Sequence, residues 1–117
     1  MPTTQVPLTP TRVGKLMAAT HVIERELQAP PKLGLESRSE FRHAAITVLE
    51  QLPEGDSRLA IDLSPTRQVD SAGLGALMLI QRRAAERRQG IVLRHASDEI
   101  RFLLALTKLS DLFEFEG

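Results

Sequence analysis

The order of apolar and polar residues changes its period along this chain, and each change indicates a new element. Residues 59–64 alternate, with apolar side chains at every second position, which predicts a strand with one buried face. Residues 72–89 are predicted to form a helix that stops at Gly90, because glycine is a favoured residue just after a helix end. The centre of the chain is therefore predicted to be a strand followed by a helix.

Further elements are predicted on both sides of this pair. Ser37 and Glu40 match a capping box, and apolar residues at helical spacing follow them. Residues 22–27 fit either a strand or part of a short helix, and residues 32–35 fit a short extended piece. The later elements are a buried strand at 91–93, a third helix capped by Ser97 or Asp98, and a terminal strand at 112–115. Because helices connect successive strands, the pattern predicts an α/β domain with parallel pairing.

Ser71 lies where the central strand region gives way to the helix. Its hydroxyl can cap the free N–H groups of the first helical turn. A phosphate on the same hydroxyl would lie at the positive end of the helix dipole, where anions are favoured. Capping and phosphorylation are compatible interpretations of this serine.

The segment 72–80 contains no polar side chain on any face of the predicted helix. A helix packed on one side of a sheet normally has a polar outer face. Either neighbouring helices bury both flanks, or part of this segment is exposed and forms a protein interface. In the second case Gly73 and Gly75 would let a partner or the sheet approach the helix backbone closely. Residues 81–88 are polar and fit a solvated face.

Composition narrows the class of protein. The chain has 117 residues, enough for one small domain, and its formal net charge is zero, which gives no reason to expect nucleic acid as a partner. It has no cysteine, which excludes disulfides and thiolate chemistry. No apolar run is long enough for a membrane helix, and the start shows no secretion signal, so a cytoplasmic protein is expected. Residues 1–20, rich in Pro and Thr, are predicted to be an irregular arm.

The sequence gives little support for a catalytic, cofactor or metal site. Val69 stands where a nucleophile elbow needs its first glycine, which argues against a serine hydrolase. Gly73 and Gly75 are too few for a dinucleotide fingerprint, and a Walker A motif is absent, so no cofactor is predicted. Three scattered histidines without cysteine make no plausible metal site. Five arginines could form a basic patch but fit a solvated face better: Arg82, Arg83, Arg87, Arg88 and Arg94.

Four segments together resemble the STAS domain family. They are Asp62-Leu63-Ser64, Val69-Asp70-Ser71-Ala72-Gly73-Leu74, Gly90-Ile91-Val92-Leu93 and Leu106-Thr107-Lys108-Leu109-Ser110-Asp111-Leu112-Phe113. The family includes anti-sigma factor antagonists, stressosome proteins and small cytoplasmic subunits of some lipid transporters. The resemblance implies a mixed sheet of four to five strands with helices largely on one face. It implies a STAS domain at residues 21–117, following the arm at 1–20.

The resemblance also implies a function for the segment around Ser71. In the antagonists, the residue at this position is phosphorylated by a partner anti-sigma factor with kinase activity, which uses ATP, and the phosphate releases that partner. We therefore predict a non-enzymatic bacterial module that regulates transcription and is phosphorylated at Ser71, and we assign Asp70 to helix-end stabilisation and partner contact. The predicted partner-binding residues are Asp70, Ser71, Ala72, Gly73, Leu74 and Gly75. The alternative is an accessory subunit that docks on the ABC-type ATPase of a lipid transport system. A homodimer is left open, and no membrane insertion is expected.

Overall fold

A computed structural model describes residues 22–117, so the predicted arm at residues 1–20 lies outside the described part of the chain. The elements follow one another as β1 (Ile23–Gln28), β2 (Lys32–Leu33), α1 (Arg38–Gln51), β3 (Ser57–Asp62), β4 (Gln68–Val69), α2 (Ser71–Glu86), β5 (Gly90–Arg94), α3 (Asp98–Leu106), a 3-10 helix (Ser110–Leu112) and β6 (Glu114–Glu116). The ambiguous segment at 22–27 is thus a strand. The predicted terminal strand at 112–115 begins two residues later, because the 3-10 helix precedes it.

Four strands form the main sheet in the order β1–β3–β5–β6, and β2 pairs with β4 in a separate two-stranded ribbon. Every pairing is parallel. This confirms the predicted α/β class and its parallel strands. A mixed sheet would also contain an antiparallel strand, and residues 22–117 contain none. Parallel strands need crossover connections, which the three helices and the loops provide.

The core lies on one face of the main sheet. Alternate residues of the two central strands, Leu59, Ile61, Ile91 and Leu93, are buried in one cluster with side chains from all three helices. Since alternate strand residues share a face, all three helices pack on the same side, as predicted. The helices contribute Phe41, Ala45, Leu49, Leu77, Ile80, Ala84, Ile100 and Leu104 to this cluster.

The opposite face of the sheet carries a closed ring of ion pairs. Its members are Glu24, Arg58, Arg94 and Glu116, from all four strands. Arg58 Nε lies 2.7 Å from Glu24, Arg94 Nε lies 2.8 Å from Glu116, and each arginine also contacts the other's glutamate. Burial raises the pKa of Glu24, but hydrogen bonds from Arg58 and Arg94 outweigh it and leave this pKa below its ordinary value.

Both ends of α2 differ from the sequence prediction of residues 72–89. The helix begins at Ser71, and the left-handed residue after its end is Arg88, with φ of 55°, instead of a glycine. Gln89 is buried and its amide donates to the carbonyl of Leu49 at 2.8 Å. The chain leaves the helix before Gln89, whose amide reaches this acceptor, and the prediction that the helix continues to Gln89 is wrong.

The capping box predicted at the start of α1 also takes another form. Ser37 precedes the helix, but its hydroxyl makes no cap hydrogen bond. It donates to the carbonyl of Lys32 at 2.6 Å and accepts from the N–H of Gly34 at 3.1 Å. Ser37 therefore closes the turn between β2 and α1. In α3 the predicted cap is confirmed for Ser97, which accepts from the N–H of Ile100 at 3.2 Å.

Candidate functional site

The β2–β4 ribbon sets where α2 begins. The N–H of Asp70, directly after β4, donates to the carbonyl of Leu33 in β2 at 3.2 Å. This contact brings the first turn of α2 beside the turn that leads from β2 into α1. Two segments separated by more than thirty residues, 33–37 and 69–73, therefore meet at the start of the helix.

Asp70 is the N-cap of α2, with an extended backbone at φ of −97° and ψ of −175°. One carboxylate oxygen accepts from the N–H of Gly73 at 2.9 Å and the other from the N–H of Leu35 at 3.2 Å. The hydrogen bond from Gly73 is the main cause that lowers the pKa of Asp70, and it outweighs the effect of desolvation. The carboxylate therefore stabilises the helix end and also holds the turn before α1.

Ser71 is the first residue of α2 and is exposed. The expectation that its hydroxyl caps the helix is wrong, because Asp70 holds the capping position one residue earlier. Within residues 22–117 the structure gives the hydroxyl of Ser71 no hydrogen bond to another side chain or to the backbone. The hydroxyl is therefore chemically available at the surface.

The glycines of the motif have different surroundings. A Cβ at Gly73 would overlap the carbonyl oxygen of Leu33, and a Cβ at Gly34 would overlap the carboxylate of Asp70. A Cβ at Gly75 would meet no atom within 4 Å. Of the two roles predicted for the glycines, Gly73 lets the β2 strand approach the helix, while Gly75 leaves open space on its surface.

Two cavities flank the start of α2, and adjacent residues of the motif line different ones. The Asp70 groove, of about 740 Å³, lies between the β2–β4 ribbon and the first turns of α1 and α3. The Ser71 groove, of about 320 Å³, lies between α1 and α2. The Ser71 groove is lined by Arg38, Arg42, Ser71, Ala72, Gly75, Ala76, Met78, Leu79 and Arg82.

The apolar segment at 72–80 is exposed in part. Leu77 and Ile80 are fully buried against the core, whereas Met78 and Leu79 keep 38% and 40% of their surface exposed. The interpretation in which neighbouring helices bury both flanks therefore does not hold. Of the other predicted partner-binding residues, Ala72, Leu74 and Gly75 are half-buried, and Gly73 is buried.

Two arginines near Ser71 belong to α1, and nothing in the sequence indicated that this helix lies beside Ser71. Arg38 and Arg42 lie one turn apart on α1, and both line the Ser71 groove. The basic patch that was the weaker alternative for the later arginines is dispersed: Arg83 pairs with Glu50 and Glu86, Arg87 pairs with Glu54, and Arg94 belongs to the ring on the other sheet face. The i,i+4 spacing of Arg38 and Arg42 was visible in the sequence, but the position of α1 beside the start of α2 was not.

Residues 22–117 contain no group of three or more His, Asp or Glu side chains placed to hold a metal ion. None of the helices in this part of the chain combines the length and the apolar composition that crossing a bilayer requires.

Comparisons with known proteins agree with the sequence resemblance. Residues 25–114 match the family model described as Mlab, STAS domain. No curated protein matches the chain by sequence.

Solved structures show the same fold. A candidate anti-sigma factor antagonist from Thermotoga maritima is 21% identical, with 80% of this chain and 79% of that chain covered and a TM-score of 0.69. The anti-sigma factor antagonist SpoIIAA in its unphosphorylated form is 13% identical, with 82% of each chain covered and a TM-score of 0.65. A sulfate transporter family protein from Wolinella succinogenes is 18% identical, covers 80% of this chain and 75% of its own, and has a TM-score of 0.56. At these identities the likeness establishes the fold alone.

Proposed function

Because this chain belongs to the STAS domain family, we propose that it is a binding module similar to the anti-sigma factor antagonists, switched by phosphorylation of Ser71. One observation carries the proposal: Ser71 presents an exposed hydroxyl at the start of α2, in the same groove as the exposed apolar side chains of Met78 and Leu79. Two of the similar structures are described as anti-sigma factor antagonists, which supports it. The module would have no catalytic activity of its own.

The proposed partner is an anti-sigma factor with kinase activity. It would bind the first turns of α2, where Asp70, Ser71 and the residues to Gly75 lie. It would transfer the γ-phosphoryl group of ATP to the Oγ of Ser71, which loses its proton, and ADP would leave the kinase. Residues 21–117 would form the module, with residues 1–20 as an arm, in the cytoplasm of a bacterium.

Magnitudes favour release of the partner after phosphorylation. A phosphate adds close to two negative charges, and the helix dipole favours it by roughly 0.3–1 kcal/mol, so the fold should survive. A charge buried without a partner at an interface costs several kcal/mol. Since about 1.4 kcal/mol corresponds to a tenfold change in affinity, a phosphate that the interface leaves unpaired would weaken binding by orders of magnitude.

A capture experiment with three baits tests this proposal. The wild-type protein, Ser71→Asp and the control Ser39→Asp are incubated with extract of the native host, and mass spectrometry identifies the captured proteins. Ser39 is an exposed serine of α1 that lines neither groove, so its variant carries the same charge change elsewhere. We expect a kinase-like anti-sigma factor with the wild type and with Ser39→Asp, and its loss with Ser71→Asp. Equal capture by all three baits would contradict the switch.

A second candidate function is an accessory subunit of a lipid transport system. It is favoured by the description of the matching family model and by the similar structure from a sulfate transporter family protein. The same face of α2 would then dock on an ABC-type ATPase, and Ser71 would be a permanent contact. Capture of an ABC ATPase in place of an anti-sigma factor would favour this candidate.

A further inference from the structure

The two helices beside the Ser71 groove run side by side in the same direction. Near their ends, Arg83 of α2 pairs with Glu50 of α1 at 3.0 Å, a separation of 33 residues along the chain. The same separation places Arg38 level with Ser71 and Arg42 level with Gly75. The cavity between the helices agrees with this alignment, since its lining includes all four of these residues.

Seven of the eleven arginines among residues 22–117 form no ion pair there, and three of these seven line this groove. Arg58, Arg83, Arg87 and Arg94 are all engaged in ion pairs. Arg38, Arg42 and Arg82 form no ion pair with any residue in the range 22–117. The groove therefore combines positive charge with a hydroxyl that can be modified, and it contains no acidic side chain among its lining residues.

A phosphate on Ser71 would lie in the same groove as the side chains of Arg38 and Arg42. Helical side chains lean toward the N-terminus, so Arg42, one turn further along α1, extends back toward the level of Ser71. The planar guanidinium fork matches phosphate oxygens and forms charge-assisted hydrogen bonds with them. The carboxylate of Asp70 lines the other groove, where backbone N–H groups of Gly73 and Leu35 hold it, and the positive charge of Arg38 also contributes to its lowered pKa.

We propose that Arg38 and Arg42 form an internal receptor for a phosphate group on Ser71. This inference rests on the proposed function, because it requires that Ser71 is phosphorylated. In the free, phosphorylated protein the receptor pairs the phosphate, which stabilises the released state. The phosphate also neutralises positive charge of the groove, so that a partner meets a surface of different charge after the modification. The switch then acts on the free protein as well as on the interface.

Phosphorus NMR on a protein carrying phosphoserine at position 71, installed during translation, tests the receptor without any kinase or partner. The measured quantity is the second pKa of the phosphate, ordinarily about 6. Opposite charges within hydrogen-bonding reach favour the dianion, so we expect this pKa to lie about 1 unit or more lower. In the double variant Arg38→Gln, Arg42→Gln it should return toward the ordinary value, and circular dichroism will show whether that variant is folded.

Arg82→Gln is the matched control. It removes the same charge from the same groove, but eleven residues along α2 from Ser71, which is about 16 Å at the rise of an α-helix. We expect it to leave the titration of the phosphate unchanged. An unchanged pKa in the double variant, or an equal shift in Arg82→Gln, would overturn the receptor.

The two proposals can fail separately. A lowered phosphate pKa that depends on Arg38 and Arg42, together with equal capture by all baits, would keep the receptor and reject the partner switch. Loss of an anti-sigma factor with Ser71→Asp, together with an ordinary phosphate pKa, would keep the switch and reject the receptor.

Discussion

Asp70 and Ser71 are joined by one peptide bond, yet their side chains have opposite surroundings. The carboxylate of Asp70 accepts two backbone hydrogen bonds and lies against a turn packed so closely that Gly34 has no room for a Cβ. The hydroxyl of Ser71 is exposed and opens onto a groove with unpaired arginines. One short motif therefore has two roles: Asp70 stabilises the helix start on one side, and Ser71 offers an accessible hydroxyl on the other.

The same division extends to the two glycines of the motif. Gly73 faces the Asp70 side, where the backbone of Leu33 approaches the helix, and Gly75 faces the open Ser71 side. Glycine is therefore required for packing at position 73, whereas position 75 has room for a side chain. Substitutions on the two sides should separate stability from function.

The largest loss of stability is expected for a substitution at Gly73, where the helix packs against β2. Gly73→Ala forces a Cβ into the carbonyl oxygen of Leu33, and we expect the free energy of unfolding to fall by about 2 kcal/mol or more. Gly75→Ala is the matched control: it meets no neighbour and gains helix propensity, so the free energy of unfolding should rise by up to about 1 kcal/mol. Urea denaturation of both variants measures the difference. Equal free energies of unfolding in the two variants would contradict the inferred difference between positions 73 and 75.

A smaller effect is expected for the cap. Asp70→Ala removes the acceptor for Gly73 and Leu35, and caps of this kind change the midpoint of thermal unfolding by about 5 °C in domains of this size. Circular dichroism at neutral pH measures this midpoint for the variant and the wild type. A midpoint equal to that of the wild type would show that the carboxylate does not hold the helix end.

The pH dependence of this difference follows from the lowered pKa of Asp70. A carboxylate with a lowered pKa in the folded state stabilises the fold above its unfolded value, near 3.8, and loses this contribution as the pH falls through the folded value. The gap between the wild type and Asp70→Ala should therefore be full at neutral pH and shrink below about pH 4. Since Glu24 and Asp62 also have lowered pKa values, both proteins should lose stability in acid, and only the gap reports on Asp70.

The smallest effect on stability is expected for Ser71→Ala. The hydroxyl is exposed and has no hydrogen-bond partner among the described residues, so the free energy of unfolding should change by less than about 0.5 kcal/mol. The same urea titration measures it. A loss comparable with that of Asp70→Ala would mean that the serine has a structural role.

Much of the fold could be predicted because periodicity is a local property. The alternation at 59–64 and the helical spacing after Ser37 located β3 and α1 within a few residues. Residues 22–27 stayed ambiguous because their conformation depends on pairing with β3, more than thirty residues away.

The site was less predictable because it depends on contacts distant in sequence. Asp and Ser are about equally good N-caps, so the sequence could not decide between Asp70 and Ser71. The hydrogen bond from Leu35 to Asp70, which favours the aspartate, exists only after the β2–β4 ribbon has formed. The position of Arg38 and Arg42 beside Ser71 likewise depends on how α1 aligns with α2.

The ion-pair ring on the sheet has a consequence for the order in which the domain can assemble during synthesis. The strand order β1–β3–β5–β6 is also the chain order, so each strand can join the edge left free by the one before it. Glu24 lies on the first strand and Glu116 on the last, and both pair with the arginines of the two central strands. The ring can therefore close only after Glu116 has been synthesised, and it then joins the two edge strands of the sheet to its two central strands.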